Sequence, residues 1–173
     1  MTPTPTAPRQ PSSFYLYPGD LHVSSSGETI STLLGTCVSV ALYDCLRGVG
    51  GMNHYLLSVP TGGRDGSTGE TRYAHRALTV LLDSMLTAGA RREQIEAKVF
   101  GGALRGDSES PQARVARENV RAALEALERW GIPIRAVDTG GPHGRRVFFS
   151  TATGRAMVRL FRWPETKEVS SAT

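Results

Sequence analysis

The sequence predicts an α+β layered sandwich with much of its sheet antiparallel, and three observations carry that expectation. Strand-like segments outnumber helical ones, only two stretches repeat apolar residues at the helical period, and the first half of the chain offers no helix to cross over between parallel strands. The 173 residues, 39% of them hydrophobic, suit one domain, since domains most often run to about 100–150 residues. No internal repeat of solenoid period is present.

Taken in order, residues 1–13 are rich in Pro, Thr and Ser and have no apolar core behind a basic start. They are expected to form a disordered lead-in and not a secretory signal. The domain is expected over residues 14–163, followed by a polar, frayed tail at 164–173. Residues 14–17 read as a strand closed by the turn Pro18-Gly19-Asp20, and 21–23 resume it. A polar loop at 24–28 leads to an extended run at 29–34, interrupted by Gly35 just before Thr36-Cys37. Residues 37–43 set Val38, Val40 and Leu42 against Ser39, Ala41 and Tyr43, 44–47 break the pattern, and a second strand-like run follows at 48–57, which predicts a hairpin.

Glycine-rich residues 61–69 read as a loop. Ala77, Leu78, Leu81, Leu82, Met85 and Leu86 then mark a helix that Gly89 ends. A strand at 95–100 precedes Gly101-Gly102-Ala103 and a polar loop through Pro111. A second helix is expected over 112–130, with Ala116, Val120, Ala123, Leu124 and Leu127 as its apolar stripe, Gly131 at its C′ position and Pro133 barring continuation. Three more strands are expected at 134–138, 147–150 and 155–161.

Composition narrows the function classes. The net charge is +4, yet the arginines of the second helix alternate with acids and form no single stripe with stacking aromatics, so nucleic acid is not the expected partner. No apolar run approaches the roughly 20 residues that span a bilayer, and no membrane insertion is expected. Two cysteines eight residues apart, Cys37 and Cys45, fit a reduced, cytoplasmic setting better than a disulfide. No CxxC or HxxxH spacing calls for a metal, and the pairs Gly50-Gly51, Gly101-Gly102 and Gly140-Gly141 match no phosphate-binding loop, so no cofactor is expected.

The chemistry centres on residues 31–54. With the hairpin centred between Cys45 and Leu46, Cys37 falls opposite His54, which would place their Cβ atoms about 4.5–5.5 Å apart. A bulge at Gly50-Gly51 would turn His54 to the other face. A thiol next to an imidazole is the arrangement nucleophilic catalysis uses, because the free thiol is mostly protonated at neutral pH until a base takes its proton. Cys45, in the expected turn, has no such partner, and His22, His75 and His143 lie elsewhere. Ser31 shares strand parity with Cys37 and Thr32 does not, which makes Ser31 the expected third member.

The segments LGTCVSVALYD, RGVGGMNHYLL, RYAHRAL, AKVFGGA, RENV, GIPI and VDTGGPHGRRVFFSTATG resemble the chemoreceptor glutamine deamidases known as CheD, over about residues 15–159. The resemblance implies a three-layer α/β/β sandwich, similar in active-site layout to bacterial toxin deamidases, with two main helices on one side. It implies a Cys–His–Thr triad that hydrolyses selected glutamines of methyl-accepting chemotaxis receptors to glutamate through a Cys thioester. The nucleophile then falls on Cys37 and the base on His54. The family's hydroxyl falls on Ser31, where a threonine is expected, with Thr32 beside it. The implied partners are the cytoplasmic helices of chemoreceptors and a CheC-type phosphatase. A non-catalytic adaptor and a receptor methylesterase are the competing functions.

Overall fold

A computed structural model describes residues 12–59 and 70–163. The elements are β1 (Ser13–Tyr15), β2 (Leu21–Ser24), β3 (Thr29–Leu34), β4 (Val38–Asp44), β5 (Val49–Asn53), α1 (Ala74–Thr87), β6 (Ile95–Gly101), α2 (Pro111–Arg129), β7 (Ile134–Thr139), β8 (Gly144–Ser150) and β9 (Ala156–Phe161). The expected loop at 61–69 and tail at 164–173 lie outside the described residues. The first strand begins at Ser13, one residue inside the expected lead-in, and stops at Tyr15.

The strands form two mixed sheets, one of four in the order β1-β3-β8-β9 and one of five in the order β2-β5-β4-β6-β7. Most pairs are antiparallel, as the missing crossover helices require. Two are parallel, β1 with β3 and β6 with β7. In the second case α2 supplies the crossover, and in the first the chain detours through β2 in the other sheet.

Three layers follow from where apolar surface is buried. One core lies between the helices and the five-stranded sheet: Leu78, Leu81 and Met85 of α1 and Ala123 and Leu127 of α2 meet Val38, Val40 and Leu42 of β4 and Val99 of β6. The buried face of α2 is largely alanine, Ala113, Ala116 and Ala123, so this helix can approach the sheet closely. Its start is fixed by Ser110, whose Oγ accepts from the Ala113 N–H at 3.1 Å, with Pro111 in the first turn. The second core lies between the two sheets and joins Leu16, Ile30, Leu34, Ala41, Met52, Phe100, Val147 and Phe149. Cutting a fully buried side chain such as Leu81 to Ala would cost about 2–5 kcal/mol. Among the described residues no helix is long and apolar enough to cross a membrane.

The β4–β5 hairpin corrects the expected register. Ala41 pairs with Met52, Leu42 with Gly51, Tyr43 with Gly50 and Asp44 with Val49, a shift of two residues. The cause is the turn: Asp44 Oδ1 accepts from the N–H groups of Leu46 and Arg47 at 2.9 and 3.1 Å. That holds four residues in the turn and moves its centre beyond Leu46. Gly50 and Gly51 sit in the regular ladder, and an even shift leaves every side chain on its expected face.

Candidate active site

The polypeptide leaves the four-stranded sheet at Leu34 and enters the five-stranded sheet at Val38, and Gly35, Thr36 and Cys37 bridge the two. All three carbonyls of this bridge are tied down. Gly35 O accepts from Ala103 N and Cys37 O from Gly102 N, each at 2.8 Å, and Thr36 O accepts from Asn119 Nδ2 at 3.2 Å. A trans peptide points its N–H away from its C=O, so anchoring the carbonyls of Gly35 and Thr36 turns the N–H groups of Thr36 and Cys37 the other way. Among the described residues neither donates to a backbone carbonyl. Gly101 and Gly102 make the cradle possible: both have positive φ, and a Cβ on Gly101 would collide with the Cys37 carbonyl.

Cys37 is half-buried and lines an open cleft of about 540 Å³ with Gly35, Thr36, Arg105, Gly106, Gln112 and Trp163. Burial pushes the thiol above its ordinary pKa, against smaller opposing contributions from its own backbone N–H and the Thr36 hydroxyl. The resting group is therefore the neutral thiol.

His54 is buried, 2% exposed, and is not among the residues that line the cleft. The isolated bridge between Val38 and Tyr55 fixes its relation to Cys37. Cys37 and His54 are diagonal neighbours on one face of the sheet, with Cα atoms about 7–8 Å apart by ladder geometry, and not directly opposed as the sequence suggested. Both side chains enter the space between the sheets: Cys37 packs against the inter-sheet core, and His54 Nδ1 lies 2.8 Å from Thr32 Oγ1 of the opposite sheet.

That contact fixes the tautomer. The single hydroxyl proton of Thr32 goes to Leu16 O at 2.9 Å, so at His54 the hydroxyl accepts and Nδ1 carries the hydrogen. The lone pair is then on Nε2, which is buried and has no hydrogen-bond partner among the described residues. Desolvation lowers the imidazole pKa to about 4, although the Asp20 carboxylate pulls the other way. His54 is thus a neutral base at neutral pH with its accepting nitrogen free.

Ser31 stands elsewhere. Along β3 the residues Ile30, Thr32 and Leu34 are buried between the sheets, so Ser31 faces the outer side of the four-stranded sheet, where it pairs across to Phe148. The parity that favoured Ser31 does not carry through Gly35, Thr36 and Cys37, because β4, which follows them, belongs to a different sheet from β3. The hydroxyl on His54 is that of Thr32. Cys45 is exposed in the hairpin turn, His75 is exposed on α1, and His22 stacks on Phe14 and bonds Glu28 through Nε2 at 2.8 Å. Among the described residues no group of three or more His, Cys, Asp or Glu is placed to hold a metal.

Two positioning residues escaped the sequence reading. Asn119 is fully buried on the core face of α2, and its Nδ2 reaches both Thr36 O and Leu56 O, the latter at 2.7 Å. Its backbone carbonyl accepts from the Tyr55 hydroxyl at 2.6 Å. The available signal was an amide within an otherwise apolar helical stripe. Asn53 does the same for the strand before His54: its Oδ1 accepts from Val40 N at 2.8 Å, and its carbonyl accepts from Ser39 Oγ.

Known proteins resemble this chain over most of its length. A family model described as CheD chemotactic sensory transduction matches residues 56–160. A protein of Trichlorobacter lovleyi named "Probable chemoreceptor glutamine deamidase CheD" is 38% identical over 145 residues, covering 84% of this chain and 88% of that protein. Proteins with the same name from Rhizobium rhizogenes and Bordetella petrii are 40% and 42% identical. They are aligned over 89% and 82% of this chain and over 83% and 63% of their own lengths.

Proposed function

The chain belongs to the CheD family, and from that premise we propose that it hydrolyses glutamine side chains of methyl-accepting chemotaxis receptors to glutamate, releasing ammonia. The names of these relatives support the substrate class. The observation that carries the chemistry is the lone, buried Nε2 of His54, held on the Cys37 face by Thr32.

In this reading His54 Nε2 takes the Cys37 thiol proton as sulfur attacks the carboxamide carbon of the substrate glutamine. The N–H groups of Thr36 and Cys37 receive the charge that develops on the carbonyl oxygen. His54 then gives its proton to the departing nitrogen, the C–N bond breaks, ammonia leaves and a thioester remains. Water, deprotonated by the same nitrogen, attacks the thioester and returns the thiol, with glutamate as product. Thr32 touches no reacting atom. It holds the ring so that one nitrogen serves both half-reactions.

An adaptor without turnover would have no use for a desolvated base on the same sheet face as a half-buried thiol, which sets that reading second. An ester would yield to the same thioester path, so the deciding experiment offers both substrates. Purified protein is incubated with receptor cytoplasmic fragments carrying either glutamines or glutamate methyl esters. Ammonia, methanol and the fragment mass are then measured for wild type and Cys37→Ala. Ammonia release with amide-to-acid conversion, lost in Cys37→Ala, is the expected result. Methanol without ammonia, or unchanged ammonia release by Cys37→Ala, overturns the assignment.

A further inference from the structure

We propose that Arg105 selects which glutamine is attacked, by pairing with a carboxylate on the same substrate segment, so that the Cys37 cleft favours glutamines flanked by an acidic residue. The proposal rests on the deamidation reading and adds the identity of the group that reads the substrate.

Arg105 reaches the cleft from the loop between β6 and α2, and among the described residues it is the only charged one lining it. Its guanidinium carbon lies 5.2 Å from the centroid of the Trp163 ring, a cation–π arrangement. The ring is itself held in place. It lies against Gly35, where a Cβ would come within 2.9 Å of it, and it meets the Phe161 ring edge-on at 5.0 Å between centroids. The residue before Thr36-Cys37 therefore lets an indole wall stand directly beside the nucleophile, and that wall carries the arginine.

A cation–π contact is electrostatic and uses up no guanidinium N–H as a donor to a carboxylate or carbonyl. Among the described residues Arg105 has no carboxylate partner and donates no hydrogen bond to another side chain or backbone carbonyl. A planar donor held on a rigid wall and free of a partner matches a carboxylate, which accepts two parallel N–H bonds. An uncharged carboxamide gains less from it, and a lysine beside the target glutamine is repelled. The arginine therefore chooses among glutamines by their neighbours, while the thiol and imidazole act on whichever carboxamide enters.

Two measurements test this. The first compares the alkylation rates of Cys37 by iodoacetate and by iodoacetamide, read on the Cys37 peptide by mass spectrometry. The anionic reagent should lose about 3- to 10-fold relative to the neutral one in Arg105→Gln, and the difference should shrink as salt is added. The second maps the receptor glutamines that wild type converts, then replaces the neighbouring Glu and Asp by amides or by Lys. Removing those carboxylates should raise KM about 5- to 10-fold for wild type and leave it unchanged for Arg105→Gln, and Arg105→Glu should recover on the Lys-flanked fragment.

Equal alkylation ratios together with indifference to flanking charge overturn the proposal. So does a kcat loss in Arg105→Gln that is the same for every flank, since that would place the guanidinium on the reacting group. If no receptor fragment yields ammonia with wild type, the deamidation reading falls and the glutamine preference with it, while the alkylation ratio still reports whether the cleft draws anions.

Discussion

Strand β4 has a cysteine just beyond each end. Cys37 precedes it in a bridge whose three carbonyls are all anchored, half-buried beside a cleft of about 540 Å³, with an imidazole held on the same face. Cys45 follows it in a turn held by Asp44, exposed at the rim of a smaller cavity of about 270 Å³ that Tyr43, Lys98, Glu96, Arg135 and Arg155 help to line. There Lys98 Nζ donates to Gly154 O, the Tyr43 hydroxyl donates to Ala152 O and Arg135 pairs with Glu96 at 2.7 Å, while the Arg155 side chain has no such partner among the described residues. At the Cys37 end, among the described residues, His54 Nε2 has no hydrogen-bond partner, the N–H groups of Thr36 and Cys37 donate to no backbone carbonyl, and Arg105 has no carboxylate partner. The two thiols thus differ in setting: Cys45 is exposed in a turn, whereas Cys37 is half-buried beside donors and an imidazole nitrogen that the described structure leaves free, which is why the proposed chemistry is assigned to Cys37.

The comparison breaks most sharply on substitution. His54→Ala should lower ammonia release by about 10²–10⁴, the usual worth of a positioned general base, whereas Cys45→Ala should stay within about twofold of wild type, as surface changes generally do. A comparable loss in both variants would erase the distinction between the two ends. Alkylation sharpens it further. Exposed Cys45 should react with iodoacetamide first at neutral pH without loss of activity. Inactivation should follow the slower labelling of Cys37, whose rate keeps climbing into the alkaline range because burial raises its pKa.

The next effect is on stability. His54 has a folded pKa of about 4 against 6.5 for the free group. Between those values the unfolded chain binds a proton that the folded protein refuses, so stability is full above about pH 6.5, falls as the pH drops, and levels off below about 4. A gap of that size corresponds to roughly 3 kcal/mol. Urea unfolding of wild type at pH 7 and at pH 4.5 should show most of that loss, and His54→Gln should flatten it. An equally steep loss in His54→Gln would mean that other groups carry the acid sensitivity.

Much of this architecture was legible in the chain, for physical reasons that also mark where legibility stopped. Apolar period alone located α1 and α2, and β-branched alternation located the strands. A thiol and an imidazole on either side of a turn identified Cys37 and His54 as candidates that share a face. The hairpin register was misplaced by two residues because the Asp44 carboxylate, reaching over Leu46 and Arg47, sets the turn centre. Composition does not reveal which hydrogen bonds such a side chain makes. Ser31 was preferred over Thr32 because parity was counted through Gly35 and Thr36 as if one strand continued, whereas the chain changes sheets there. Asn119 lies eighty-three positions from Thr36, and only the packing of α2 onto the sheet brings them together.

The smallest effect separates the two neighbouring hydroxyls. Thr32→Val keeps the shape and removes the group that fixes the His54 tautomer, and it leaves Leu16 O without its donor, a loss of about 1–3 kcal/mol in stability. Activity should fall about 10- to 100-fold, the range typical when a partner that orients a catalytic imidazole is removed, and mostly in kcat because Thr32 does not touch substrate. A purely structural role would lower stability alone, so the decisive readout is the ¹⁵N spectrum of the His54 ring. Wild type should show hydrogen on Nδ1, and Thr32→Val a mixture of tautomers. Thr32→Ser should restore both spectrum and rate in large part, with some loss because a serine rotamer is less constrained than a β-branched one. Ser31→Ala, on the outer face of the four-stranded sheet, should leave the spectrum unchanged and the rate within about twofold. Were Ser31→Ala to alter the ring spectrum while Thr32→Val did not, the chain would have to cross between its sheets with Ser31 facing inward, and the sorting of polar groups between the two ends of β4 would need to be redrawn.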